Sequence, residues 1–304
     1  MKFVGLHTAV ITPFDQAGRI DEDGLRHNLR LQLQHGVQGV VVLGTTGEAP
    51  TLTEAEKELV IKIAVQEVKN KAILTVGTGS YSTQATIDAT HRAQNLGADA
   101  ALIVTPYYNR PSQEGLYAHY AAISKAVSLP ICLYNIPTRT GQHLQISTLE
   151  RLVNLPTIFA IKEGSGVAHV NEIFDKIMGK VPNFCVLSAD DAMTLPLMSI
   201  GGHGIISVLS NLLPGPMQAL VAAAQKGDFK LAQAWHKQLL PYFSMTSIDT
   251  NPMPIKAAMQ LQNMPSGGCR LPLCSLSKSN LQNLKTIINQ LPQTWLNGSE
   301  FITR

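Results

Sequence analysis

The chain has 304 residues, a formal net charge of +3 and a sequence pI near 8.6, with 45% hydrophobic and 15% charged residues. That balance describes an ordinary globular protein with ample core, and without a basic cluster it offers nothing to nucleic acid or an anionic membrane. The opening Met1-Lys2-Phe3-Val4-Gly5 lacks the apolar region of a secretory signal and no apolar run approaches membrane-spanning length, so a cytoplasmic protein is expected.

Apolar strands alternate with capped amphipathic helices. Leu6 to Phe14 reads as the first strand and Val37 to Leu43 as the second, which runs into Gly44-Thr45-Thr46-Gly47-Glu48. A capping box of Thr53 with Glu56 opens a helix that reaches about Asn70. Ala72 to Val76 is the third strand, and the helix after it ends at Gly97, a left-handed cap. Ala100 to Val104 is the fourth, leading into Thr105-Pro106-Tyr107-Tyr108-Asn109-Arg110-Pro111. Ile131 to Tyr134 is the fifth, followed by Asn135-Ile136-Pro137-Thr138-Arg139-Thr140-Gly141. A second capping box, Ser147 with Glu150, begins the next helix. The sixth strand starts at Ile158 and meets Lys162. Phe184 to Leu187 and Gly204 to Val208 are the seventh and eighth.

Eight strand–helix units in about 225 residues match a (β/α)8 TIM barrel, an α/β fold whose strands all end on one face. The barrel is expected over residues 1–226, with a C-terminal helical extension over 227–304 packed on it. The extension comprises helices over Asp228 to Met245, after Asn251-Pro252-Met253-Pro254, and from about Ser277. A doubly wound sheet would carry a phosphate-binding fingerprint near its first turn, and the spacing after Gly77-Thr78-Gly79 does not supply one. The cysteines Cys132, Cys185, Cys269 and Cys274 show no C-x-x-C spacing, and two lie in apolar runs, which suits buried reduced thiols.

The chemistry centres on Ile158-Phe159-Ala160-Ile161-Lys162-Glu163-Gly164. A lysine at the end of a strand buried on both faces loses hydration, which lowers its pKa and leaves a nucleophilic amine near neutral pH. Lys62 sits within a helical pattern and Lys256 follows a Pro-rich helix start, so neither ends a barrel strand. Asp190 and Asp191 have no histidine at ligand spacing and read as helix N-caps, so no metal is expected.

Gly44-Thr45-Thr46-Gly47-Glu48, the Tyr107–Pro111 run, Tyr134-Asn135-Ile136-Pro137 with Arg139, and Ile161-Lys162-Glu163 occur in this order. Together they resemble the dihydrodipicolinate synthase (4-hydroxy-tetrahydrodipicolinate synthase) family of the pyruvate-dependent class I aldolase superfamily. The resemblance runs from about Leu6 to the final helices. It implies that Lys162 forms a Schiff base with pyruvate and that Tyr134 is the general acid/base. It further implies a relay through Thr45 and through Tyr108 from a neighbouring subunit, with Tyr107 one register away. Thr46 would clamp the pyruvate carboxylate, Arg139 would bind the carboxylate of L-aspartate 4-semialdehyde, and the Ile206 backbone would line the pyruvate site. No cofactor is implied, because the covalent pyruvate imine is an intermediate, and a homotetramer built as a dimer of dimers is expected.

Lysine-sensitive members of that family typically carry Ser, two His, Asn and Glu at positions matching Ala49, Glu54, Lys57, Tyr81 and Ala85. The missing carboxylate at Ala85 and the added cation at Lys57 predict weak or absent inhibition by L-lysine. Ala189 stands where many members have glycine, a methyl expected near the pocket floor and tolerated there. Two other readings stay open. One is a sister lyase that cleaves N-acetylneuraminate or a 2-keto-3-deoxy sugar acid, against which Thr45-Thr46 and Arg139 argue. The other is a non-catalytic barrel that binds or scaffolds.

Overall fold

The apolar runs become eight parallel strands that close into a barrel in sequence order, with β1 completing the ring against β8. The computed structural model describes residues 3–181 and 183–296. The strands are β1 (Gly5–Ala9), β2 (Gly39–Val42), β3 (Ile73–Gly77), β4 (Ala100–Val104), β5 (Ile131–Asn135), β6 (Ile158–Glu163), β7 (Cys185–Ser188) and β8 (Gly204–Ser207). Between them lie α1 (Glu22–Gln34), α2 (Glu54–Val68), α3 (Thr83–Leu96), α4 (Gln113–Ala126), α5 (Pro137–Thr140), α6 (Ile146–Leu152), α7 (Val167–Ile173) and α8 (Thr194–Ser199). After β8 come α9 (Pro214–Gln225), α10 (Phe229–Met245), α11 (Met253–Leu261), α12 (Lys278–Ile288) and α13 (Gln293–Leu296).

Local signals account for most boundaries. The Thr53–Glu56 capping box is present in full, and Gly97 takes φ 103 as the left-handed end of α3. The first strand is shorter than expected. It leaves the sheet after Ala9, because Ile11 N–H donates to the Asn211 side chain and Pro13 has no N–H to give. The second capping box does not form. The Gln113 side chain of α4 accepts from Gln145 N–H and from the Thr148 hydroxyl, so α6 starts at Ile146 and Ser147 falls inside its first turn.

Strand alternation produces two buried layers. Inside the barrel lie Phe3, Ala9, Val41, Leu102, Cys132, Ala160, Leu187 and Ile206, whereas the alternate residues pack outward against the helices. One irregularity decides which face Lys162 occupies. Ile131 pairs with Ile158 but Cys132 pairs with Ala160, leaving Phe159 as an extra residue on β6. This bulge resets the alternation, so that Ala160 and Lys162 face inward while Ile161 and Glu163 face the helices. Without it the lysine would lie among the outer helices.

The helices after β8 are held by their own apolar faces. Leu239, Met245, Ile255, Ala258, Met259 and Leu284 are fully buried. Cutting one such leucine or isoleucine to alanine costs about 2–5 kcal/mol. Tyr242 donates its hydroxyl to Gln290 O, tying α10 to the turn after α12. This layer also reaches the strand C-termini, through Asn251, Lys256 and Arg270.

Candidate active site

A cavity of about 600 Å³ opens at the C-terminal ends of the strands, and Lys162, Tyr134, Thr45, Thr46, Arg139 and Tyr107 all contribute to its lining. A second hollow of about 640 Å³ lies against Val4, Leu33, Gln38 and Lys71, away from those groups. Its one cation, Lys71, already donates to Glu67 O, so it gathers no reactive constellation.

Lys162 is 5% exposed, and burial pulls its amine down from 10.5 to about 8. The nearby Cys132 and Asp191 oppose that shift, while Arg139 adds to it. Asp191 is itself buried and held by the Ser207 hydroxyl and by the Val208 and Leu209 amides. It therefore buttresses the start of the loop after β8 instead of capping a helix. Asp190 does cap, accepting from Ala192 N–H. Among the described residues, no three His, Cys, Asp or Glu side chains are grouped to hold a metal ion.

Tyr134 is the strand partner of Lys162, and its ring centroid lies 4.3 Å from the lysine Nζ. Burial pushes its hydroxyl up to about 12, with Arg139 pulling the other way. The phenol is therefore protonated at neutral pH and available as a donor.

Thr45 and Thr46 stand on a tight turn in which Gly47 N–H donates to Gly44 O and Glu48 N–H donates to Thr45 O. Gly77 makes room for it, since a Cβ there would come within 2.1 Å of Leu43 O. Thr46 is 3% exposed and its hydroxyl oxygen accepts from Asn251 Nδ2 at 2.9 Å. With that acceptor position filled, the hydroxyl proton is free to donate to an anion. Arg139 is exposed on the cavity wall, on the single turn α5, which Gly141 ends at φ 65.

Not every residue singled out in the sequence meets in this cavity. Tyr108 is 91% exposed at φ 71 and contributes nothing to the lining. Tyr81 is 54% exposed and packs edge-on against Tyr107, ring centroids 5.5 Å apart. Ile206 is fully buried in the barrel interior and is also absent from the lining. Ala189 lies beside Gly164 and Ile136 rather than on the cavity surface. Ala49, Glu54, Lys57 and Ala85 do line the outer part of the cavity. There Glu54 is shared between Lys57, at 2.7 Å, and Arg92.

Sequence reasoning passed over four residues that shape the site. Asn251 reaches Thr46, and Glu163 anchors the segment after Lys162 by accepting from Asn135 Nδ2, Ser165 N–H and the Ser165 hydroxyl. Glu48 and Lys256 form a buried ion pair at 2.7 Å beneath the threonine turn. Lys256 indeed ends no strand, yet it is 1% exposed, so burial alone does not single out a reactive lysine. Glu48 directly follows the Gly-Thr-Thr-Gly motif, and its position inside a turn was the one available signal.

Comparison with known proteins places this geometry. The profile of the Dihydrodipicolinate synthetase family matches residues 2–291. A relative named 4-hydroxy-tetrahydrodipicolinate synthase from Protochlamydia amoebophila (strain UWE25) is 54% identical over 97% of this chain and 99% of its own. The solved 4-hydroxy-tetrahydrodipicolinate synthase of Methylacidiphilum fumariolicum SolV superposes with a TM-score of 0.94 at 39% identity, covering 99% of this chain and 100% of that one. The chloride-inhibited dihydrodipicolinate synthase of Acinetobacter baumannii, solved in complex with pyruvate, superposes with a TM-score of 0.90 at 36% identity, covering 95% and 99%. Eight parallel strands, a buried lysine with a tyrosine partner and a family match over residues 2–291 together show that this chain belongs to the dihydrodipicolinate synthetase family.

Proposed function

We propose that the chain condenses pyruvate with L-aspartate 4-semialdehyde to give 4-hydroxy-tetrahydrodipicolinate, in the diaminopimelate route to lysine. The observation that carries this reading is Lys162, buried with a depressed pKa at a cavity shared with Tyr134, Thr45 and Thr46.

The neutral Lys162 amine attacks the pyruvate ketone, and the carbinolamine loses water to a protonated imine. The imine draws electrons from the methyl carbon, which gives up a proton and becomes an enamine nucleophile. That carbon attacks the aldehyde of the semialdehyde. The substrate's own amine then attacks the imine carbon, closes the ring and releases Lys162. The imine itself is the electron sink, so the scheme needs no cofactor. Tyr134 supplies the proton with which the carbinolamine hydroxyl leaves as water, with Thr45 and a partner subunit's copy of Tyr108 completing the relay. Thr46 donates to the pyruvate carboxylate, and Arg139 offers two parallel donors to the second substrate's carboxylate. The exposure of Tyr108 supports an assembly in which it serves a neighbour, and a cytoplasmic dimer of dimers fits that use.

Steady-state assays discriminate this reading from the sister lyases. Turnover of pyruvate with the semialdehyde is expected, with no cleavage of N-acetylneuraminate or 2-keto-3-deoxy sugar acids. The reverse pattern would contradict it, and inactivity on all of them would favour a non-catalytic barrel.

A further inference from the structure

The turn that carries Thr45 and Thr46 is held from beneath by charges, and the cation comes from the helices after the barrel. Glu48 is 2% exposed and takes a left-handed backbone, φ 52. A non-glycine residue holds that conformation when its surroundings impose it. One carboxylate oxygen of Glu48 accepts from Lys256 Nζ at 2.7 Å and the other accepts from Arg270 N–H at 2.9 Å. Lys256 spends its other donors on Thr12 O at 3.0 Å and Gly268 O at 2.6 Å. The Thr12 hydroxyl in turn donates to Gly47 O at 2.7 Å, inside the same turn. Arg270 completes the clamp, donating to Gly18 O, to Thr51 O and to the Glu56 carboxylate. The Phe14 ring faces both cations, 4.3 Å from Lys256 Nζ and 4.4 Å from the Arg270 guanidinium carbon.

An apolar pair of similar volume would join these elements at least as stably, because two buried charges must first be stripped of water. What the ion pair adds is direction. Every donor and acceptor on it ends on backbone or charge at a fixed distance, so the turn has one satisfied arrangement. We propose that Glu48 and Lys256 are positioning residues for the α-keto acid: their buried pair fixes the Thr45–Thr46 turn in the conformation that receives the pyruvate carboxylate. The inference rests on the function proposed above.

Its test is a pyruvate titration of borohydride trapping at Lys162, in the full-length protein and in E48Q, K256M and E48Q/K256M, with melting curves alongside. In K256M and the double variant the half-saturating pyruvate concentration is expected to rise about tenfold or more. The plateau yield of adduct on Lys162 should stay at the parent level, because the amine and Tyr134 are untouched. K256M strands a buried carboxylate; if it does not fold, the double variant, which removes both charges, and the near-isosteric E48Q are read in its place. Folded variants whose half-saturating pyruvate stays within about twofold of the parent, at any melting temperature, overturn the inference and leave the pair a purely stabilising role. Failure of E48Q itself to fold overturns it too. If the parent protein traps no pyruvate, the reading of the site fails instead, so the two failures are distinguishable.

Discussion

Lys162 Nζ sits 4.3 Å from the centroid of the Tyr134 ring, and the two residues are register partners on adjacent strands. The contact is fixed by sheet geometry and not by a mobile loop. It places an amine of depressed basicity beside a phenol of raised pKa, which keeps the nucleophile neutral and the acid protonated in one pH range.

The first prediction follows from the lysine pKa of about 8. At pH 7 about a tenth of the amine is neutral, against well under a thousandth for an ordinary lysine. The rate of imine formation is therefore expected to climb with pH and level off above about 8. Stopped-flow or trapping rates across pH 6 to 10 measure it; a flat profile would contradict the desolvated amine.

The same shift has a cost in stability. The unfolded chain holds the Lys162 proton up to the ordinary 10.5, whereas the folded chain releases it near 8, so stability rises as pH climbs between those values. Below that window the buried charge opposes folding by about 3 kcal/mol. K162M, of similar volume, should be more stable than the parent at pH 7 by up to about that amount, with the gap closing toward pH 10.5. Denaturant midpoints at the two pH values decide it.

Y134F removes the hydroxyl and keeps the ring. A fall of about 10²–10⁴-fold in kcat is expected, the usual reach of a positioned proton donor, with little change in stability. Since burial holds the phenol near 12, the parent enzyme should show no alkaline loss of activity from this group below about pH 11.

Arg139 faces the cavity from a single helical turn with no competing carboxylate partner among its described contacts. R139A should raise KM for the semialdehyde by about 10–100-fold and affect pyruvate far less. R139K should recover little of this, since an ammonium cannot form two parallel bonds. Equal effects on both substrates would remove Arg139 from that role.

Lysine sensitivity is the remaining prediction. The outer cavity places Lys57 and Arg92 on the one carboxylate of Glu54, and Ala85 supplies no other. An added ammonium ion would meet two cations, while the carboxylates there, Glu54 and Asp88, are already engaged, the second by Gln84 Nε2. Inhibition by L-lysine should stay weak through the millimolar range; half-maximal inhibition below about one millimolar would contradict this.

The sequence carried the barrel because its signals were local. Apolar runs, the Thr53–Glu56 box and Gly97 each act over a few residues, and they mark where strands and helices change. The face on which Lys162 lies was not legible in the same way, since it depends on the extra residue Phe159 in the pairing of β5 with β6. Nor were the contacts from Asn251, Lys256 and Arg270, which cross more than 200 positions of sequence to reach the threonine turn. The failed Ser147 cap shows the same limit on a smaller scale. Gln113, 32 residues from Gln145, supplies the acceptor that the local motif would have provided.

The most direct test of the central claim is borohydride reduction in the presence of pyruvate, followed by peptide mass mapping. A single reduced pyruvyl adduct on the peptide containing Lys162 is predicted, and none on those containing Lys62 or Lys256. An adduct on another lysine, or no adduct at all, would contradict the Schiff-base mechanism.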